Sequence, residues 1–250
     1  MSLPVYFFAA KNSQYELVYV WDQATIEAKF IIAFLVLFSI VAWSVMASKA
    51  MQMRRAKKLN QLFDSEFRSQ NGVLSIYDRR VQVDGCPLFA VYQEGCVELD
   101  NRLKAGSGSR RSWLSLKAME HVKRALERAV AKESLKLESG LILLAIAVSG
   151  APFLGLLGTV WGVMSTFGHI AQSSSTSLKA MAPGVSAALV TTVAGLLVAI
   201  PSMFGYNYLV HNLRTLTVEM DNFAQELASR METECLKDEE NNGLEPSTFP

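Results

Sequence analysis

Acidic and basic side chains are missing from three long stretches of this 250-residue chain, and cysteine and histidine are scarce throughout. Cys86, Cys96 and Cys235 are an odd set with no C-x-x-C pair, which excludes a disulfide framework. The three histidines do not cluster with them, so no zinc site is expected. Net charge is only +1, too little to suggest a nucleic-acid partner. The first 25 residues lack a basic start followed by an apolar run and a small-residue cleavage site. The first apolar run is therefore expected to be a retained membrane helix. Period-two alternation is absent too, and an all-α fold is expected. There is no Ser-His-Asp constellation, and the glycines of Gly155–Gly162 (GLLGTVWG) neither follow a strand nor match a phosphate loop. An enzyme and a bound cofactor are not expected.

What is present is half hydrophobic residues, gathered into runs. Residues 30–47 hold no charge and are about long enough for a bilayer. Lys49, Arg54, Arg55, Lys57 and Lys58 follow with no acid among them, which puts that flank in the cytoplasm and segment 1–29 outside. The aromatic residues of 3–24 suggest a short helix at the outer interface. A second span is expected over 139–168, with a kink at Pro152, and a third over 184–210, starting after Pro183 and containing Pro201. The outer loop is then 169–183, and three crossings leave the C-terminus inside.

The cytoplasmic regions are 48–138, 211–236 and a tail at 237–250 whose composition reads as disordered. Residues 50–70, 88–104 and 112–138 have helical apolar spacing, with a Gly106–Ser109 linker between the last two. The last of these is expected to run straight into the second span. Leu209, Leu213, Leu216, Met220, Phe223 and Leu227 form a seam with steps of four and three. That seam fits packing within the chain as well as contact with a second copy.

Two spans carry stripes of small and hydroxyl residues. Gly155, Thr159, Gly162, Thr166 and His169 share one helix face, as do Ala188, Thr192, Gly195, Ala199 and Ser202. Small residues at this spacing let membrane helices pack closely. The same stripe also suits a polar path, in which hydroxyls meet an ion, a water or a carboxylate. No Asp, Glu, Lys or Arg lies inside any span, so a protonatable group on the path would come from a second protein.

Ala151–Phe167 (APFLGLLGTVWGVMSTF) resembles the second membrane helix of the TolQ/ExbB/MotA family of ion-driven motor proteins. Ala182–Asn207 (APGVSAALVTTVAGLLVAIPSMFGYN) resembles that family's third helix. FSIVAWSVM and MDNFAQEL lean toward the TolQ branch. The resemblance is strong over 139–230 and only organisational through the cytoplasmic body. It implies a multi-pass subunit of the bacterial inner membrane, forming a homopentamer around a dimer of a TolR- or ExbD-like single-span partner that carries a membrane aspartate. Ion flow would then energise a TonB- or TolA-like protein.

The family's threonines fall on Thr159 and Thr192. Thr166, Ser186 and Thr191 are further candidates for the ion pathway, and Gly155, Gly162, Gly195, Ala187 and Pro201 for helix packing and pore lining. One departure stands out: where the family's third helix usually has a glutamate three residues after the glycine of APG, this chain has Ala187. The transported ion is expected to be H+, with Na+ as the second choice. Membrane lipids complete the partners. The alternatives are a non-conducting scaffold of the same fold, or a stator of a gliding or flagellar-like machine.

Overall fold

The computed structural model describes residues 25–104, 113–172 and 178–235. These form helices α1 (Ile26–Ser69), α2 (Ser75–Asp78), α3 (Pro87–Lys104), α4 (Leu116–Glu138), α5 (Leu141–Gln172) and α6 (Leu178–Cys235). Among the described residues there is no β-strand, and the fold is all-α. Among the described residues, three helices are long and apolar enough to cross a membrane: α1, α5 and the Met181–Cys235 part of α6. The expected interfacial segment 3–24, the Gly106–Ser109 linker and the tail 237–250 lie outside the described residues.

Two expectations need correction. The helix ending at Glu138 does not run straight into the second span. Ser139 turns to ψ 134° and Gly140 to φ +85°, a left-handed conformation that glycine adopts without a Cβ clash. The third apolar helix starts at Leu178 rather than after Pro183. Pro183 removes one hydrogen bond close to the helix start, where few bonds exist to lose.

The chain divides into two compact units. The first comprises Met1–Lys49 and Gly140–Leu209, the second Ala50–Ser139 and Val210–Pro250. In the first unit, Leu35 packs with Ala151, Val198 and Ala199, and Ala28 with Ala187. Met46 lies against Gly205. Residue numbers on α1 and α6 rise together through these contacts, so the two helices run in parallel. Between α5 and α6 the order reverses, with Thr166 at Gly184, Gly162 at Ala188 and Gly155 at Gly195. The outside of this unit exposes Phe30, Leu37, Ile40, Phe153, Leu197 and Phe204. Apolar surface on this scale suits hydrocarbon rather than water.

In the second unit, Phe63, Phe67, Phe89, Tyr92 and Phe223 form an aromatic cluster with ring centroids 5.2–6.3 Å apart. Such edge and tilted pairs suit the ring quadrupoles. Gly95 on α3 lets Leu126 and Leu227 close over it. Leu216, Met220, Phe223, Leu227 and Met231 on α6 are buried, so the chain itself covers this part of the seam. Ser115 caps α4 by accepting a hydrogen bond from the Ala118 N–H at 3.3 Å.

The Tyr92 hydroxyl is buried, donates to the Val73 carbonyl at 2.6 Å and accepts from the Tyr77 N–H at 2.9 Å. Burial pushes its pKa well up, so it stays a neutral donor. Tyr92→Phe orphans two backbone groups and is expected to cost about 1–3 kcal/mol. Thermal unfolding of the purified protein in detergent checks this. An unchanged midpoint would mean that the bonds contribute nothing.

Candidate functional site

The α5–α6 contact in the first unit is set by glycine. A Cβ on Gly155 would lie 2.9 Å from the Thr191 carbonyl oxygen and 3.0 Å from Thr192 Cα. One on Gly195 would lie 2.5 Å from the Ala151 carbonyl oxygen and 3.1 Å from Gly155 Cα. One on Gly162 would meet Ala188 Cβ at 2.8 Å. The obstacles at Gly155 and Gly195 are backbone atoms that cannot swing aside. Both helix axes therefore come as close as only small residues permit.

Three hydroxyls are pressed into this seam. Thr159 Oγ1 on α5 hydrogen-bonds Thr192 Oγ1 on α6 in a very short contact. It also donates toward the carbonyls of Gly155 and Ala188, both at 3.2 Å, and is 3.5 Å from Thr191 Oγ1. Thr191 is fully buried and donates to Ala188 at 2.6 Å and to Gly155 at 3.0 Å. Thr192 donates to Gly155 at 3.2 Å. Five oxygens thus converge: three hydroxyls and the carbonyls of Gly155 and Ala188. Each hydroxyl has one proton and two lone pairs. Three protons shared among these acceptors can be arranged in more than one way, including with Thr159 and Thr192 exchanging donor and acceptor roles. The cluster is neutral, and no ionisable side chain is among its bonded members.

The remaining sequence candidates separate from this group. Thr166 is buried seven residues along α5, bonded to the Gly162 carbonyl at 2.8 Å and lying against Gly184. Ser186 is half-buried, and its hydroxyl makes no hydrogen bond to a described residue. Pro201 is inside α6, nine residues beyond Thr192. Next to it, Ser202 is buried and donates to the Val198 carbonyl at 2.7 Å.

Ala187 is only 3% exposed and is closed off by Ala28 of α1, itself buried. Sequence reasoning misses this contact, because nothing in the uniformly apolar α1 run fixes which of its residues meets α6. Its trace is two small residues at equivalent depth in parallel helices. It also misses the two backbone carbonyls of the cluster, whose exposure to Thr191 and Thr192 follows from the glycine at 155.

A family model for the MotA/TolQ/ExbB proton channel family matches residues 99–222. Biopolymer transport protein ExbB of Xanthomonas campestris pv. campestris is 44% identical over 113 residues, 45% of either chain. The match thus spans less than half of that relative. Tol-Pal system protein TolQ of Pseudomonas aeruginosa is 32% identical over 189 residues, covering 74% of this chain and 79% of its own. Biopolymer transport protein ExbB of Neisseria meningitidis is 31% identical over 199 residues, 79% of this chain and 88% of its own. The chain belongs to the MotA/TolQ/ExbB proton channel family. Over the longer matches the two names stand close together, TolQ at 32% over 189 residues and ExbB at 31% over 199.

Gly195→Ala drives a methyl into the Ala151 carbonyl and is expected to destabilise the first unit by about 1–3 kcal/mol. Gly168, whose Cβ would meet nothing within 4 Å, is the internal control. Gly168→Ala is expected to be neutral or to stabilise α5 by up to about 1 kcal/mol. Ala187→Glu, which forces a carboxylate against Ala28, is expected to cost several kcal/mol. Unfolding midpoints in detergent rank the three. Equal midpoints for Gly195→Ala and Gly168→Ala would contradict the close-packed seam.

Proposed function

We propose that this chain is the multi-span subunit of an inner-membrane ion-conducting motor that uses the proton motive force to energise an envelope-spanning process. The observation that carries the reading is the Thr159–Thr191–Thr192 cluster with the carbonyls of Gly155 and Ala188. Neutral hydroxyls and carbonyls can hand a proton or a partly dehydrated cation along. They cannot store a charge in the apolar medium, because an ionised group there needs a counter-group. The missing carboxylate would come from a single-span partner resembling TolR or ExbD. The names carried by the relatives, ExbB and TolQ, support this pairing and an indirect link to a TonB- or TolA-like protein.

Assembly as a homopentamer fits the family resemblance. The basic run after residue 47 supports an N-terminus outside and a C-terminus in the cytoplasm. In this reading Thr159 and Thr192 carry the ion, Thr191 holds the two carbonyls in place beside them, and Thr166 and Ser186 line the approach. Gly155, Gly162 and Gly195 keep the helices close, Ala187 seals the third helix against the first, and Pro201 gives α6 a point of weakness below the cluster. H+ is the first choice of ion and Na+ the second.

The test is ion flux into proteoliposomes holding this chain with its single-span partner, under an imposed pH or sodium gradient. Thr159→Val with Thr192→Val is expected to lower flux at least about tenfold, the effect of ~1.4 kcal/mol on a barrier. The gradient that drives flux names the ion. Full flux in the double variant would remove the hydroxyls from the pathway. A folded complex that conducts under neither gradient would favour the scaffold.

A further inference from the structure

Among the described residues of the second unit, eight cations have acidic partners within 4.0 Å: Arg68, Arg79, Arg102, Lys104, Lys123, Lys132, Lys136 and Arg230. Other described cations of this unit make no ion pair with a described residue, and four of them, Arg54, Arg55, Lys57 and Lys58, stand together on α1. All four are exposed. Lys57 lies near enough to Glu219 to oppose the upward push that burial gives that carboxyl. No Asp or Glu occurs anywhere between Glu27 and Asp64.

Their placement on α1 is directional. At about 100° per residue the four cations cover roughly 160° of the helix. Met53, Ala56, Asn60 and Phe63, which α1 buries, lie on the opposite side. Arg54 and Arg55 stand about 10–12 Å, and Lys57 and Lys58 about 15–17 Å, along the helix from Ala47, the last residue of the apolar run. Side chains of an α-helix lean toward its N-terminus. On α1 that lean carries the cationic heads back toward the end of the apolar run, where lipid headgroups begin if the run crosses a bilayer. Met51, also exposed, lies between the run and the cations on the same side.

We propose that Arg54, Arg55, Lys57 and Lys58 form a binding site for the phosphate headgroups of anionic phospholipids. The site rests on α1 crossing the membrane and does not depend on ion conduction. Guanidinium forks take phosphate oxygens in pairs, and the two lysines add charge within a screening length of the surface. The full chain, purified in neutral detergent, is titrated with phosphatidylglycerol, phosphatidylcholine or inorganic phosphate. Its unfolding midpoint is followed, and retained lipid is counted by native mass spectrometry. Phosphatidylglycerol is expected to bind and stabilise, and phosphatidylcholine and phosphate are not. Each replacement by Gln in the series R54Q, R55Q, K57Q and K58Q is expected to weaken phosphatidylglycerol binding about fivefold, the equivalent of ~1 kcal/mol per cation. The charge-keeping set R54K, R55K, K57R and K58R reports on folding and is expected to retain most of the binding. Equal retention of phosphatidylglycerol by the wild type and the four-Gln variant would overturn the proposal. So would a shift by inorganic phosphate as large as that by the lipid, which would mark a site for a free anion.

Discussion

Gly155 on α5 and Gly195 on α6 touch through their backbones, and the arrangement of the first unit follows from that contact. Two helices separated by ordinary side chains would hold Thr159 and Thr192 too far apart to share a proton. With no Cβ at either glycine, the hydroxyls meet directly, and the Gly155 carbonyl becomes reachable from the opposite helix. The close-packing and polar-path readings of the small-residue stripe are therefore not rivals. Packing at the glycines is what assembles the oxygens.

How legible this was in the sequence depends on what kind of information each feature needs. The hydroxyls at 159 and 192 were legible because periodicity alone places them on the small faces of two adjacent apolar helices. The two carbonyls were not, since every residue has one and only tertiary approach selects Gly155 and Ala188. Ala187 was visible as a departure from the family pattern, but its burial against Ala28 depends on the register between α1 and α6, which no local pattern encodes. The stop between α4 and α5 was hidden in the same way: glycine is common in membrane helices, and only the backbone angle at Gly140 distinguishes a break from a close contact.

The second unit is held by different means. Its core is aromatic and aliphatic, with Phe63, Phe67, Tyr92 and Phe223 in mutual contact. Its periphery carries ion pairs such as Arg68 with Glu226 at 2.8 Å and Lys123 with Glu232 at 2.5 Å. Pairs of this exposure contribute little individually. They fix which face of α6 meets which neighbour more than they add to stability. The seam read from Leu216 to Leu227 is occupied within the chain, while the sequence pattern alone allowed a second copy there just as well.

α6 runs as a single helix for 58 residues, from Leu178 to Cys235. At 1.5 Å per residue its part in the first unit, Leu178–Leu209, is a rod about 48 Å long. Mechanically, such a rod is stiff everywhere except where its hydrogen-bond ladder is cut, and Pro201 cuts it. Within the first unit eight residues of α6 follow that point, about 12 Å of helix. The cut leaves the Leu197 carbonyl without its ladder donor, five residues from Thr192. A helix that has already given up that bond can bend there without breaking another.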